Sequence, residues 1–132
     1  MAAVLDTHAA IWYVFIRKRL SREALRFIRN AVDSGRPAYV SAISIVETIY
    51  LIERGRIALE AIQRLEAGLK DPASGLLVAP VDEEVAQAVH RVPRDLVPEM
   101  PDRIIAATAL CLGLPLVTRD ARIASAGIKT IW

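Results

Sequence analysis

Cysteine, histidine and aromatic side chains are scarce in this chain. Its 132 residues include one cysteine, two histidines and 5% aromatics. A single cysteine cannot close an internal disulfide, so the fold must be held by burial. Cys111, within Ala109-Leu110-Cys111-Leu112, reads as a small buried hydrophobe rather than a nucleophile. His8 and His90 stand on different segments, which excludes an ordinary zinc site and a histidine acid–base pair. Long hydrophobic runs are also missing. The longest stretch without charge, Ile104 to Thr118, contains Gly113 and Pro115 and falls short of the ~20 residues that span a bilayer. The start, Met1-Ala2-Ala3-Val4-Leu5-Asp6, lacks the basic segment of a signal peptide. No membrane partner and a cytoplasmic location are therefore expected.

What is present is apolar. The chain is 54% hydrophobic and 24% charged, with a mean hydropathy of +0.34. That excludes intrinsic disorder, and the length predicts one domain, residues 1–132, with a core of its own. The hydrophobic share exceeds the usual ~45–50%, and such a surplus points to partners. The net charge of +2 is compatible with nucleic acid without demanding it.

Short apolar runs alternate with helical patterns. Val4-Leu5, Ala38-Tyr39-Val40, Leu76-Leu77-Val78, Leu116-Val117-Thr118 and Lys129-Thr130-Ile131 read as strands. Arg17-Lys18-Arg19 is expected to close the first helix, where cations suit the dipole. Ala24, Leu25, Ile28, Ala31 and Val32 make the apolar stripe of a second helix over Ser21–Ser34. Further helices are expected to about Glu53, over Ala58–Leu69, from Asp82 to about Arg91, and from Asp102 to Leu112, with a short one over Asp120–Ser125. Strands that do not alternate, separated by helices, indicate a parallel sheet buried on both faces. The expected fold is a three-layer α/β/α sandwich with about five parallel strands.

Open α/β sheets place their sites beyond the carboxyl ends of the strands. Asp6 follows the first strand, and Ser41, Ser44 and Glu47 follow the second. Thr118 and Asp120 follow the fourth, and Asp102 opens the long helix that feeds it. Four acids converge if these strands are neighbours. Each also has an ordinary explanation. Asp6, Asp102 and Asp120 suit helix starts, as Asp82 does, and Ser44-Ile45-Val46-Glu47 fits a capping box. Glu47, however, sits among Ile45, Val46, Ile49 and Tyr50, where a carboxylate calls for a positive partner. Converging carboxylates repel, so a cation must neutralise them or some must stay protonated. Oxygen ligands select hard ions, Mg²⁺ or Mn²⁺, which bind phosphates and activate water.

These residues carry a resemblance. Leu5-Asp6-Thr7-His8-Ala9 with Ile11-Trp12 comes first, then Val40-Ser41-Ala42-Ile43-Ser44 with Val46-Glu47. Asp102-Arg103-Ile104-Ile105-Ala106-Ala107-Thr108-Ala109 and Leu116-Val117-Thr118-Arg119-Asp120 follow. In this order, over nearly the whole chain, they resemble the PIN-domain family, and within it the VapC toxins of toxin–antitoxin pairs. The resemblance implies sheet order 3-2-1-4-5 and a metal-dependent endoribonuclease that inhibits translation or growth. It implies Asp6 and Asp102 as Mg²⁺ ligands, Mn²⁺ able to substitute, Glu47 and Asp120 completing the catalytic acids, and Ser41 and Thr118 as hydrogen-bonding support. Many relatives carry Asp-Pro-x-Asp-Arg at the long helix. Here Glu99-Met100-Pro101-Asp102-Arg103 leaves Glu99 as a substitute acid or a plain loop charge. Arg119 could pair with Asp120 or meet phosphate.

Candidate cations for steering RNA are Arg17, Lys18, Arg19, Arg91, Arg94, Arg103 and Arg119. A cognate antitoxin and a homodimer are the expected protein partners. The Ile49–Ile52 segment, the Ala58-Ile62-Leu65-Leu69 stripe and the first helix are expected to supply their apolar faces. The competing reading is a non-catalytic α/β interaction module whose acids are helix caps. A receiver-type phosphotransfer domain lacks its paired acids after the first strand, and an Asp-x-Asp phosphatase is disfavoured by Thr7-His8.

Overall fold

The centre of the molecule is β1, Ala3–Leu5, whose three side chains are all fully buried. The computed structural model describes residues 1–132. Around β1 lie β2 (Ala38–Ser41), β3 (Leu76–Ala79), β4 (Leu116–Val117) and β5 (Thr130–Ile131). All neighbours are parallel, in the order β3-β2-β1-β4-β5. Leu5 is level with Val40 on one side and Val117 on the other. The expected topology is therefore the observed one, and the carboxyl ends of β1, β2 and β4 lie side by side.

Alternation is present but hidden at the centre of the sheet, because both faces are covered there; only the β3 edge exposes side chains, Leu77 and Val78. Ala3, Leu5, Val40 and Val117 belong to one hydrophobic cluster, whereas Val4 and Leu116 belong to the other. The first cluster is completed by α1 (Thr7–Phe15), α2 (Arg22–Asp33) and α4 (Glu60–Lys70). The second is completed by α5 (Glu83–Ala88) and α6 (Met100–Leu112). α3 (Ala42–Glu53) joins both: Ile45 and Ile52 pack on the first and Ile43 on the second. No helix is long and apolar enough to cross a membrane.

Local chemistry explains the ends. Ser21 Oγ accepts from Ala24 N–H at 3.0 Å and starts α2; Asp82 does the same for α5 through Val85 N–H at 3.0 Å. Replacing Ser21 with alanine is expected to cost about 1 kcal/mol, read as a drop of a few degrees in Tm. Gly75, at φ +76°, precedes β3; a Cβ there would stand 2.8 Å from both methyls of Val32. Only glycine satisfies both the left-handed turn and the approach of α2.

Several expectations change. α1 ends at Phe15, and Arg17–Arg19 form a separate 3-10 turn, so these cations do not close the helix. The last short helix is likewise 3-10, Ala121–Ala126, and the α5 segment finishes as a 3-10 turn over Val89–Arg91. The Ile62 and Leu65 positions of the α4 stripe are spent inside the molecule against α1, as are Ala9, Ala10 and Tyr13 of α1 itself. These faces are core, not partner surface. The apolar residues left exposed on α3 are Val46, Ile49 and Tyr50.

Candidate active site

Four carboxylates on four different elements line one cavity of about 610 Å³ at the carboxyl end of the sheet. Asp6 ends the β1 strand and enters α1. Glu47 lies on α3, Asp102 in the first turn of α6, and Asp120 follows β4. Parallel strands bring them together because each crossover returns the chain to the same edge.

Asp6 both caps and lines. Its Oδ1 accepts from Ala9 N–H at 2.8 Å, so the capping explanation is correct, yet the side chain also faces the cavity. Burial raises its pKa, with Glu47 adding to the rise. Hydrogen bonds from Thr118 and the Ala9 N–H, together with the charge of His8, work against it.

Glu47 is not part of a capping box. α3 begins at Ala42, and its cap is Ser41, whose Oγ accepts from Ile43 N–H at 3.2 Å. Ser44 lies inside the helix, fully buried. The Glu47 Oε1 instead accepts from the Thr7 hydroxyl at 2.5 Å, and the same hydroxyl lies 3.0 Å from Ser44 Oγ. Thr7 has one proton to give, so donating it to Glu47 leaves its oxygen to accept from Ser44. This pair of hydrogen bonds holds Glu47 against Thr7 at the start of α1.

Asp102 makes no cap hydrogen bond. The N-cap of α6 is Glu99, whose side chain caps nothing, and Pro101 occupies the first turn. The Asp102 pKa is pushed up to about 6, first by burial and then by repulsion from Glu47, Asp6, Asp120 and Glu99. Glu99 is exposed and does not line the cavity, which fits its reading as a loop charge near the site.

Asp120 differs from the other three. Its Oδ1 caps the 3-10 turn through Arg122 N–H at 3.0 Å, and its carboxylate takes a bidentate pair from Arg122, with Nε at 3.0 Å and Nη2 at 2.9 Å. That guanidinium holds its pKa below the ordinary carboxylate value. Arg119, for which the sequence leaves pairing with Asp120 or contact with phosphate open, does not pair with Asp120 and lies over the Trp12 ring, 5.4 Å from its centroid. Thr118 Oγ1 accepts from Asp120 N–H at 3.1 Å and thereby ties Asp6 to Asp120. Ser41, by contrast, is engaged in its cap and does not line the cavity.

Of the candidate cations, Arg19 and Arg119 line the cavity. Arg103 does not: it donates to the carbonyls of Val89 at 3.0 Å and Val92 at 2.9 Å, locking the loop before α6. Arg17 donates to Tyr13 O and stacks on the Tyr13 ring. Arg56 and Trp132 line the cavity and were not singled out from sequence. Trp132 directly follows β5, so its place after a strand, shared with Asp6 and Thr118, is the signal that marks it. Arg56 reaches the site from the turn after α3, and no local pattern marks it.

No three acidic, histidine or cysteine side chains are drawn tightly enough to ligate a single ion as they stand. The donor set is nevertheless all oxygen, and burial together with mutual repulsion raises the Asp102 pKa. A hard divalent cation is the group that this chemistry fits.

A five-stranded parallel sheet in this order, with acids from β1, α3, α6 and the end of β4 in one cleft, defines a PIN-like acidic-site protein. The PIN domain model matches residues 3–129, and the chain belongs to the PIN-domain family. Ribonuclease VapC22 of Mycobacterium tuberculosis is 34% identical over 122 residues, covering 92% of this chain and 89% of that protein. The VapBC complex of Salmonella typhimurium, solved bound to DNA, superposes with a TM-score of 0.65 at 25% identity, over 98% of this chain and 96% of that one. VapBC2 of Rickettsia felis, bound to a promoter DNA fragment, gives 0.73 at 13% identity over 98% and 97%, a likeness of fold.

Proposed function

We propose that this chain is an endoribonuclease that hydrolyses RNA phosphodiester bonds with Mg²⁺, or Mn²⁺ in its place, and acts as the toxin of a toxin–antitoxin pair. The carrying observation is the convergence of Asp6, Glu47, Asp102 and Asp120 on one cavity, with Asp102 pushed up to about 6 by burial and its neighbours' charge. A relative that shares a third of its residues is named a ribonuclease, and several structural neighbours are solved as VapBC complexes.

Asp6 and Asp102 would hold the metal, whose charge would offset the repulsion and polarise the phosphodiester. The protein's own groups supply orientation. Glu47, fixed by Thr7, presents an acceptor oxygen that can align an attacking water. Thr118 keeps Asp6 in register with Asp120. Arg19, Arg56 and Arg119 line the cavity and attract a polyanion that the acids alone would repel. Water adds to phosphorus as the P–O3′ bond breaks, leaving 5′-phosphate and 3′-hydroxyl ends. A homodimer and an antitoxin remain the proposed protein partners, with the exposed Val46-Ile49-Tyr50 face of α3 available to them.

The reading is tested by incubating the protein with RNA, with and without EDTA, and sequencing the ends. Cleavage that requires Mg²⁺ or Mn²⁺ and leaves 5′-phosphates supports it; cleavage that survives EDTA sinks it. Binding of the metal alone gives a second readout. At ten times its Kd, an ion bound only by the folded state adds about 1.4 kcal/mol. Tm should therefore rise by a few degrees in Mg²⁺ and not in an Asp6→Asn/Asp102→Asn double variant. Acids acting only as caps predict no specific rise, which is the result expected of the non-catalytic module.

A further inference from the structure

The acidic cluster occupies only part of the cavity. Both tryptophans of the chain, Trp12 on α1 and Trp132 after β5, also line it. Their ring centroids are 5.8 Å apart, with the planes inclined at 57°. Trp12 is contacted by His8 at 5.5 Å and by the Arg119 guanidinium at 5.4 Å as well. It is thus engaged by three neighbours and acts as a backing. Trp132 rests on Trp12 and stays partly exposed. The sequence, with its few aromatics, places both indoles where water meets the carboxylates.

We propose that Trp132, backed by Trp12 and flanked by Arg119, is a nucleobase subsite, on which the base of a nucleotide next to the scissile phosphate stacks. The identity of the ligand as RNA rests on the nuclease reading above. Two arguments carry the subsite itself. First, four acids repel a polyanion, and the lining arginines, Arg19, Arg56 and Arg119, number fewer than the acids. Stacking on an aromatic face does not depend on charge, so it adds to what these cations supply whether or not a metal is bound. Second, an indole offers a plane but no hydrogen-bond code, so it accepts any exposed base and rejects bases already stacked within a duplex. The subsite therefore selects single-stranded RNA and tolerates many sequences.

Both tryptophans lie in the subsite, so indole emission, excited where tyrosine does not absorb, reports on it directly. In EDTA, a short single-stranded RNA should quench this emission to saturation, and the same sequence as a duplex should not. Measured by anisotropy of labelled RNA, Trp132→Ala should weaken binding roughly 5- to 100-fold, and Trp132→Phe, which keeps a stacking face, by less than about 3-fold. In Mg²⁺ the KM of Trp132→Ala should rise far more than its kcat falls. Should Trp132→Ala fold poorly, the parent protein can be tested with oligonucleotides carrying one abasic position at each place in turn; one position should weaken binding. Binding without quenching, equal affinity of parent and both variants, or indifference to every abasic position would overturn the subsite. Quenching by RNA that is never cleaved in Mg²⁺ supports the subsite and sinks the nuclease reading. Cleavage with none of the stacking signatures sinks the subsite alone.

Discussion

Asp6→Asn is expected to lower RNA cleavage at least about 10³-fold while the protein melts no lower than the parent. The substitution separates the two things that Asp6 does. As a cap, its Oδ1 accepts from Ala9 N–H at 2.8 Å, and asparagine keeps that oxygen and is as good a cap as aspartate. As a member of the acidic cleft, it supplies a negative charge that the fold disfavours, since burial raises its pKa. Asparagine removes the charge without removing the hydrogen bond. If Asp6 were only a cap, Asp6→Asn would be silent in both assays. If it serves catalysis, activity falls and stability holds. Cleavage within a few-fold of the parent would falsify the assignment of Asp6 to the site. Loss of activity together with a collapsed Tm would place Asp6 in the framework, not the chemistry.

How far the sequence reveals this site depends on which physical signal each residue leaves. Strand ends are visible, because short apolar runs stop abruptly at polar residues. A parallel sheet then collects those ends at one edge, so Asp6, Asp120 and Thr118 could be placed from the chain alone. Glu47 was ambiguous for a definite reason. A serine three residues before a glutamate fits both a capping box and a helix that began earlier, and only the Ser41 cap, set by the end of β2, decides between them. The partner of Asp120 was not legible from sequence either. Pairing with Asp120 depends on the 3-10 turn over Ala121–Ala126, which brings position 122 back onto the carboxylate and leaves Arg119 free to cover Trp12. The arginines near α6 show the same limit. Charge is legible, but direction is not, and Arg103 turns inward to satisfy two loop carbonyls. The apolar surplus was legible in amount and misplaced in part, because the α4 stripe closes the core over α1, whereas α3 keeps Val46, Ile49 and Tyr50 exposed and the β3 edge keeps Leu77 and Val78 exposed.

Asp102→Asn should make the metal-free protein more stable at neutral pH, and the gain should vanish in acid. The sign follows from the direction of the shift. An ordinary aspartate loses its proton near 3.8, but in the fold Asp102 holds it up to about 6. Between these values the folded state binds more protons than the unfolded one, so stability falls as pH rises through this window. Above about 6 the carboxylate is charged in a place where burial and Glu47, Asp6 and Asp120 oppose it. Allowing for the water that still reaches the side chain, that opposition is on the order of 1–2 kcal/mol. Asparagine does not ionise and escapes it, so its Tm in EDTA at pH 7.5 should exceed the parent's by roughly 3–6 °C. As the pH falls toward 3.8 the parent's own carboxyl is protonated in the fold, and the two curves should meet. Added Mg²⁺ should close the gap from the other side, by stabilising the parent and not the variant. A gap that is the same at pH 4 and pH 7.5, or a variant that melts below its parent throughout, would show that Asp102 supports the fold. The repulsion that makes a cation necessary would then have to lie elsewhere in the cleft. A gap that opens between about pH 4 and pH 6, stays level above that and closes with Mg²⁺ is what a site strained by its own charge requires, because the charge that costs stability is the charge that binds the metal.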